Sequence, residues 1–484
     1  MLFNSFEFLI FFPVVTILYF LLPYRFRWFH LLVASCVFYM AFIPVYILIL
    51  LITIVIDYIA GILIEDAQGA RRKLYLLMSL VANIGVLAVF KYFNFFVDNI
   101  NGVFQALHSP TVLPYLGIIL PLGLSFHTFQ AMSYTIEVYR GHERAERHFG
   151  IYTLYVMFYP QLVAGPIERP QNILHQFHEK HRFDYDQVTS GLRLMAWGMF
   201  KKVVVADRLA IFVNQIYDDP RHAQGLPLLV ATIFFALQIY CDFSAYSEIA
   251  LGAARVMGFE LLINFRRPYF ARSISEFWKR WHISLSTWFR DYLYISMGGN
   301  RVSVSKRYFN LFIVFLVSGF WHGANWTFVV WGALHGIYLV VGSLTQGFRQ
   351  RLTAALPKRL DHILDILVTC GLVTFAWIFF RASSIADAWY IITHMSAPSH
   401  ALERGADYYG LSSIKVFYHK QEWAYLLLGT ATLITVEMVQ RRHSFNSLVL
   451  RQPLMLRWAG YFAIVSAIIF FGAFDKVQFI YFQF

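Results

Sequence analysis

Two histidines in apolar surroundings are the residues of this chain best suited to chemistry. His322 lies in the run Ser318-Gly-Phe-Trp-His-Gly-Ala-Asn-Trp326, and an ionisable side chain inside an apolar span marks a functional site by default. The sequence contains no serine-elbow, phosphate-loop, zinc or dinucleotide signature. A histidine without a nucleophile fits a general base acting on a substrate hydroxyl. The alternative is structural, because Gly319 and Gly323 could bring two helices together with the imidazole bridging them.

His282 belongs to a basic, tryptophan-rich stretch that precedes the apolar run containing His322. From Ile274 to Phe289 the apolar residues recur every three or four positions, which predicts one amphipathic helix on the cytoplasmic interface. His282 falls at the rim of the apolar stripe, where a histidine is more often structural than catalytic. The basic residues of this region are candidate phosphate contacts for a donor molecule. They are Arg266, Arg267, Lys279 and Arg280.

A further set of polar residues interrupts apolar runs and predicts a solvated cavity. These candidate lining residues are His127, Gln130, Asp242 and Asn325. Each could be structural glue between helices, but their number favours a lined cavity. Pro121 and Gly123 also fall within an apolar run. Irregular backbone at membrane depth is tolerated only where protein buries it or where it lines a wet cavity.

The composition predicts an all-α polytopic membrane protein. Of 484 residues, 58% are hydrophobic and 14% charged, against roughly 25% charged in soluble domains. The first apolar run lacks a preceding basic region and a cleavage site, so it is interpreted as a retained helix. The net charge of +12 fits basic cytoplasmic loops and no nucleic-acid partner. Three scattered cysteines support neither a disulfide framework nor a metal site.

Apolar segments and loop charges together predict the topology. The segments lie near 8–23, 29–43, 45–64, 74–97, 113–137, 150–165, 192–214, 226–255, 308–322, 325–344, 363–381, 423–440 and 458–474. Basic and non-basic loops alternate between them, which places both termini outside. One of the three middle segments is expected to be re-entrant, because the loops on both sides of that group are basic. The whole chain, 1–484, is expected to be one membrane-embedded domain of about a dozen crossings in contact with lipid.

These residues resemble the membrane-bound O-acyltransferase superfamily, in the bacterial branch that O-acetylates alginate, peptidoglycan or cellulose. The motifs that carry the resemblance are Phe129-Gln130, Val138-Tyr-Arg-Gly141, Gln161-Leu-Val-Ala-Gly-Pro166, Asp242-Phe-Ser-Ala-Tyr-Ser247, Phe277-Trp-Lys-Arg-Trp-His-Ile-Ser-Leu-Ser286, Arg290-Asp-Tyr-Leu-Tyr294, Gly298-Gly-Asn-Arg301 and Trp321-His-Gly-Ala-Asn325. The resemblance implies a ring of helices around a two-sided funnel, with re-entrant or amphipathic segments and a catalytic core at about 115–345. It implies that His322 is the catalytic histidine and His282 the second signature residue. Tyr481, in the aromatic tail 475–484, would match a proposed acyl carrier.

The resemblance also implies an activity and its partners. We expect transfer of acetyl from a cytoplasmic donor, acetyl-CoA, to an envelope polysaccharide at the bacterial inner membrane, with no permanently bound cofactor. Phe129-Gln130 and the 163–168 stretch favour peptidoglycan over alginate. No esterase-like domain follows the last helix, so a separate periplasmic acetyltransferase is the expected partner. The alternatives are a protein or lipid acyltransferase with a longer donor, and a transporter that would tolerate His322→Ala.

Overall fold

The protein is built from α-helices. The computed structural model describes residues 1–118, 120–163, 165–397, 420–440, 445–474 and 479–480. It is 76% helical, with no strand in the described ranges. The predicted all-α class is therefore confirmed.

Helices occupy most of the predicted apolar segments, and shorter helices lie between them. In chain order they are α1 (Phe6–Leu21), α2 (Tyr24–Met40), α3 (Ile47–Asp66), α4 (Gly69–Leu87), α5 (Phe93–Ala106), α6 (Leu124–Arg140), α7 (Phe149–Met157), α8 (Pro170–Ile173), α9 (Tyr185–Met199), α10 (Asp207–Tyr217), α11 (Leu226–Val256), α12 (Ile274–Trp278), α13 (Ile283–Trp288), α14 (Val304–His322), α15 (Trp326–Leu344), α16 (Gln346–Thr353), α17 (Lys358–Arg381), α18 (Ile385–His394), α19 (Lys420–Val439), α20 (Phe445–Leu450) and α21 (Leu454–Phe471). Wider π-helical turns occupy Ala88–Tyr92, Phe200–Ala206 and Phe289–Tyr294. Short 3₁₀ turns occupy Pro44–Tyr46, His175–His178, Pro220–His222 and Pro268–Phe270.

Within the described residues, seven helical stretches are long and apolar enough to cross a bilayer. They are Pro44–Asp66, Gly69–Ala106, Leu226–Val256, Trp326–Leu344, Lys358–Arg381, Glu422–Val439 and Leu454–Phe471. The last of these buries no residue in the protein, as expected for a helix whose apolar side chains face lipid. A polytopic membrane protein is confirmed, and the larger number of about a dozen crossings stays a prediction.

Two predicted segments are broken where the sequence carries breakers. The segment near 113–137 is helical only from Leu124, because Gly123 adopts a left-handed conformation with φ of 75°. The segment near 150–165 is helical only to Met157. The irregular backbone after it is surrounded by protein, since Phe158 and Leu162 are buried. This agrees with the rule that non-helical backbone at membrane depth must be enclosed.

The chain divides into two compact units. The first comprises Met1–Met195 with Tyr246–Ile263, and the second comprises Ala196–Ala245 with Asn264–Phe484. In the first, α3 packs against α4 and α6. In the second, α14 packs along α15, which in turn contacts α17. The assignment of 1–484 to a single domain, with a catalytic core at about 115–345, stays a prediction.

The first unit contains a buried carboxyl group with its own hydrogen-bond partners. Ser79 donates its hydroxyl proton to Asp57 at 2.6 Å, and the side-chain amide of Asn83 donates to the same carboxyl at 2.9 Å. These side chains join α3 to α4. A polar group inside an apolar helix is retained at low energetic cost only when such partners are present.

Candidate active site

His322 is enclosed by aromatic rings at the end of α14. It is the last residue of that helix and 5% exposed. Its ring centroid lies 5.0 Å from that of Trp321, 5.0 Å from that of Trp331 and 5.3 Å from that of Phe380. These neighbours come from α14, α15 and α17. Such an enclosure keeps bulk water away from the imidazole, which strengthens electrostatic interactions with a bound reactant.

The position of His322 depends on the close approach of α14 and α15. A Cβ atom added to Gly319 would lie 2.3 Å from the carbonyl oxygen of Phe328 and 2.9 Å from the Cα of Gly332. Only glycine fits at this crossing, as in other small-residue contacts between membrane helices. The structural interpretation of Gly319 is thus confirmed. This packing role of Gly319 is compatible with a functional role of His322, because His322 lies one turn further along the same helix.

His335 is a buried histidine that sequence analysis did not select. It lies on α15 with no exposed surface. The indole N–H of Trp278 donates to its Nδ1 at 3.2 Å. Its ring lies 4.9 Å from that of Trp331, the residue that also contacts His322. The four-residue spacing from Trp331, one helical turn, was the available signal for this contact.

His282 does not lie at the rim of an amphipathic helix, and the prediction of one helix over 274–289 is wrong. The helix α12 ends at Trp278, and α13 begins at Ile283. Between them His282 adopts a left-handed conformation with φ of 42° and is 0% exposed. A helix cannot continue through a left-handed residue. The three- and four-residue spacing therefore describes two short helices that share a buried side.

A side chain from the preceding loop positions His282. Nδ1 of His282 lies 3.3 Å from Oδ1 of Asn264. The same oxygen accepts the backbone N–H of Ser284 at 3.1 Å and its hydroxyl at 2.8 Å. The ring of Phe243 packs edge-on against the imidazole, with centroids 4.6 Å apart. Asn264 thus organises the start of α13, and sequence spacing alone gave no sign of this contact.

The predicted donor-binding residues lie in two sections of loop, 266–267 and 279–280, and the second section leads directly to His282. The backbone N–H of Arg266 donates to the carbonyl of Arg280 at 2.9 Å, which brings the two sections of loop together. Arg266 and Lys279 are exposed. Arg280 forms an ion pair with Glu276, and Arg267 donates to the carbonyl of Gln440. Donor binding by these four residues stays a prediction.

The candidate lining residues are distributed over both units. His127 and Gln130 lie on α6 in the first unit and are buried, and the amide of Gln130 donates to the carbonyl of Tyr155 at 2.6 Å. Asn325 lies in the second unit and caps α15. Its Oδ1 accepts the N–H of Thr327 at 3.0 Å. For Asn325 the structure shows a capping role, and cavity lining by this set stays a prediction.

Asp242 belongs to a buried ion network in the second unit. Lys202 lies 2.8 Å from one oxygen of Asp242 and 2.8 Å from one oxygen of Asp207. The other oxygen of Asp242 accepts the backbone N–H of Ile480 at 2.9 Å. Phe479 and Ile480 are buried in protein, whereas an aromatic tail of this type usually anchors at the membrane interface. Tyr481, the candidate acyl carrier, lies outside the described residues.

Comparison with known proteins identifies the family. The model of the membrane-bound O-acyltransferase family matches residues 142–385, a range that includes both candidate catalytic histidines. The chain belongs to this family. It is 40% identical to a probable alginate O-acetylase of Pseudomonas aeruginosa, over 80% of this chain and 74% of that protein. It is 36% identical to the peptidoglycan O-acetyltransferase of Helicobacter pylori, over 75% of this chain and 73% of that protein.

More distant similarity extends to another envelope enzyme. The chain is 27% identical to the teichoic acid D-alanyltransferase of Streptococcus thermophilus, over 58% of this chain and 73% of that protein. Together with the family match, these relatives show that the protein is a membrane-embedded O-acyltransferase. The resemblance predicted from the sequence motifs is confirmed.

Proposed function

We propose that this membrane O-acyltransferase moves an acetyl group from cytoplasmic acetyl-CoA to hydroxyl groups of a cell-envelope polysaccharide. The carrying observation is the buried, aromatic-enclosed histidine, His322, at the end of α14. The relatives that act on alginate and peptidoglycan support an acetyl donor and a polysaccharide acceptor. The proposal includes location in the bacterial inner membrane with both termini outside, as the loop charges predict.

His322 is assigned the role of general base. It accepts the proton of an acceptor hydroxyl while that oxygen attacks the thioester carbonyl of the donor. The new C–O ester bond forms, the C–S bond breaks, and the proton passes to the leaving thiolate. An acceptor alcohol and acetyl-CoA thereby become an acetate ester and free CoA. The surrounding rings of Trp331 and Phe380 favour this route because they keep competing water from the thioester.

His282 is assigned a supporting role at the thioester carbonyl. Its backbone conformation and its contact with Asn264 fix the ring in one orientation. Because Nδ1–H donates to Oδ1 of Asn264, the neutral imidazole can orient the thioester, and the imidazolium can in addition stabilise the negative charge on the carbonyl oxygen through its Nε2–H. Removing one such donor in other acyl-transfer sites typically costs about 10²- to 10³-fold in turnover.

The remaining roles complete the path of the acetyl group. Arg266, Arg267, Lys279 and Arg280 are assigned to the donor phosphates, since guanidinium and ammonium groups form charge-assisted hydrogen bonds with phosphate oxygens. Tyr481 or a hydroxyl of a partner protein is assigned as first acceptor. A separate periplasmic acetyltransferase would then pass the group to the polysaccharide. The polysaccharide is either peptidoglycan, which the Phe129-Gln130 motif favours, or alginate.

The test is acetyl transfer by the purified full-length protein in lipid nanodiscs. Radiolabelled acetyl-CoA is supplied with a periplasmic partner, and CoA release and labelled product are measured. We expect His322→Gln to lower turnover by at least about 10²-fold, within the range that general acid–base catalysis supplies. His362→Gln, an exposed histidine on α17, is the matched control and should retain wild-type turnover.

Three results would contradict the proposal. Equal turnover in wild type and His322→Gln would remove this histidine from the mechanism. Turnover with long-chain acyl-CoA and none with acetyl-CoA would replace the acetyl donor with a lipid-type donor. Absence of any CoA release from folded wild type with partner present would favour a transporter instead.

A further inference from the structure

The two residues Phe479 and Ile480 form a buried attachment inside the second unit. They are 2% and 1% exposed. The backbone N–H of Ile480 donates to Oδ2 of Asp242 at 2.9 Å, across 238 positions of sequence. The ring of Phe479 lies 6.0 Å from that of Phe243. A backbone hydrogen bond and an aromatic contact therefore help to hold this dipeptide, the 479–480 segment, against α11.

Asp242, which accepts that hydrogen bond, belongs to a cluster of three buried ionisable residues. Lys202 lies between Asp207 and Asp242, at 2.8 Å from each, and this group is called the Lys202 triad. One ammonium group faces two carboxylates, so the triad carries a net negative charge when all three are ionised. A buried charge of this kind is unfavourable unless further donors satisfy it. The N–H of Ile480 supplies such a donor, and hydrogen bonds to an ionised acceptor are roughly twice as strong as neutral ones.

The chain that leads toward the 479–480 segment is attached to the same region. The backbone N–H of Ala473 donates to the carbonyl of Val203 at 2.8 Å. The guanidinium of Arg208 donates to the carbonyl of Phe471 at 2.6 Å. Val203 lies in the π-helical turn Phe200–Ala206, which also carries Lys202, and π-helical turns are frequent at functional sites. Described residues on both sides of 475–478 thus bind to side chains or backbone around the triad.

We propose that the Lys202 triad is a docking site for the 479–480 segment and positions that segment beside His282, at the site proposed above for acetyl transfer. Phe243 is the connection, because its ring contacts Phe479 and also packs edge-on against His282. The recognised group is a peptide N–H, and the occupant is this segment of the chain itself. The docking part of the proposal stands on these contacts alone. Its effect on transfer rests on the function proposed above for His282.

The first test removes the hydrogen-bond donor and leaves the triad intact. Ile480→Pro deletes the N–H that Asp242 accepts, and Ile480→Val keeps it with nearly the same volume. Hydrogen–deuterium exchange of a peptide covering 472–484 is followed by mass spectrometry in the full-length protein in nanodiscs. Loss of a charge-assisted bond predicts exchange at least about tenfold faster in the proline variant. The valine variant should match wild type.

A second pair of variants tests the acceptor side. Asp242→Asn keeps the shape of the side chain and removes its charge, so the same peptide should again exchange faster. Glu437→Gln is the matched control, because Glu437 is a buried carboxyl in the same unit that pairs with the hydroxyl of Tyr240 and lies outside the triad. Unchanged exchange in both Ile480→Pro and Asp242→Asn would overturn the docking site.

The transfer assay separates docking from its proposed consequence. Ile480→Pro should lower kcat for acetyl transfer by about tenfold or more and leave KM for acetyl-CoA unchanged. The docked segment is proposed to affect the geometry of the transfer step and not the binding of acetyl-CoA. Faster exchange with wild-type kcat would overturn the positioning role. The exchange measurement needs no turnover. It therefore decides the docking site even if the wild-type protein proves not to transfer acetyl.

Discussion

The contact between α14 and α15 gives the sharpest prediction about the site. A methyl group added at Gly319 would lie 2.3 Å from the carbonyl oxygen of Phe328, whereas carbon and oxygen normally approach to about 3.3 Å. Relief of that overlap requires a shift of about 1 Å between the helices, because the methyl group is attached directly to the backbone of α14 and the carbonyl belongs to the backbone of α15. Overpacking of this kind typically costs about 1–3 kcal/mol. Displacement of a catalytic group by about 1 Å can lower turnover by about 10²-fold.

Gly319→Ala is therefore expected to lower both the Tm and the turnover of acetyl transfer, because His322 follows one turn later on α14. A graded series on α15 supplies the controls. A Cβ at Gly336 would lie 3.0 Å from the ring of Phe312, and one at Gly342 would meet nothing within 4 Å. Gly336→Ala should be intermediate. Gly342→Ala should leave turnover unchanged and favour the helix by up to about 1 kcal/mol.

The measurements are thermal unfolding in nanodiscs and CoA release at saturating donor. The expected order of loss is Gly319→Ala, then Gly336→Ala, then Gly342→Ala. Wild-type turnover and Tm in Gly319→Ala would refute the argument that the spacing of α14 and α15 sets the position of His322. Loss of Tm with unchanged turnover per folded molecule would refute the positional part alone.

Two further predictions concern the loop that carries His282 and the donor face. His282→Asn should keep the fold and part of the turnover because asparagine tolerates the left-handed conformation. His282→Val should lower Tm further, because valine adds about 1–2 kcal/mol of backbone strain at this position; equal Tm values would contradict this. Arg266→Ala should raise KM for acetyl-CoA roughly two- to fivefold, as expected for an exposed charge contact, and the difference should shrink at high salt. Arg351→Ala, an exposed arginine on α16, is its control, and an equal rise in KM there would indicate a non-specific charge effect.

Membrane insertion and the presence of a buried histidine in an apolar helix could be predicted from the sequence. The transfer of a helix into lipid depends on its own run of apolar residues, so helices occupy most of each predicted segment except where breakers interrupt them. His322 was recognisable because an ionisable residue is rare and costly in such a run. The positions of Pro121 and Gly123 likewise predicted an interrupted helix, since glycine and proline act through local backbone geometry.

The conformation of His282 and its neighbours depended on contacts between distant parts of the chain. The pattern of apolar residues over 274–289 is compatible with one helix, and local propensity gave no reason to break it at His282. The break is stabilised by Asn264, which binds both His282 and Ser284 after the loops have come together. A spacing rule considers one segment at a time, and therefore it could not find this arrangement.

The sequence by itself determined a helical membrane protein with an acyltransferase motif and a histidine in an apolar helix, because these properties arise from neighbouring residues. Only the tertiary structure decided which polar groups are buried together. Lys202 and Asp242 are identifiable in sequence as polar interruptions, but their pairing and the hydrogen bond to Ile480 join distant positions. Such contacts form only when burial excludes water and the remaining polar groups must find partners within the protein.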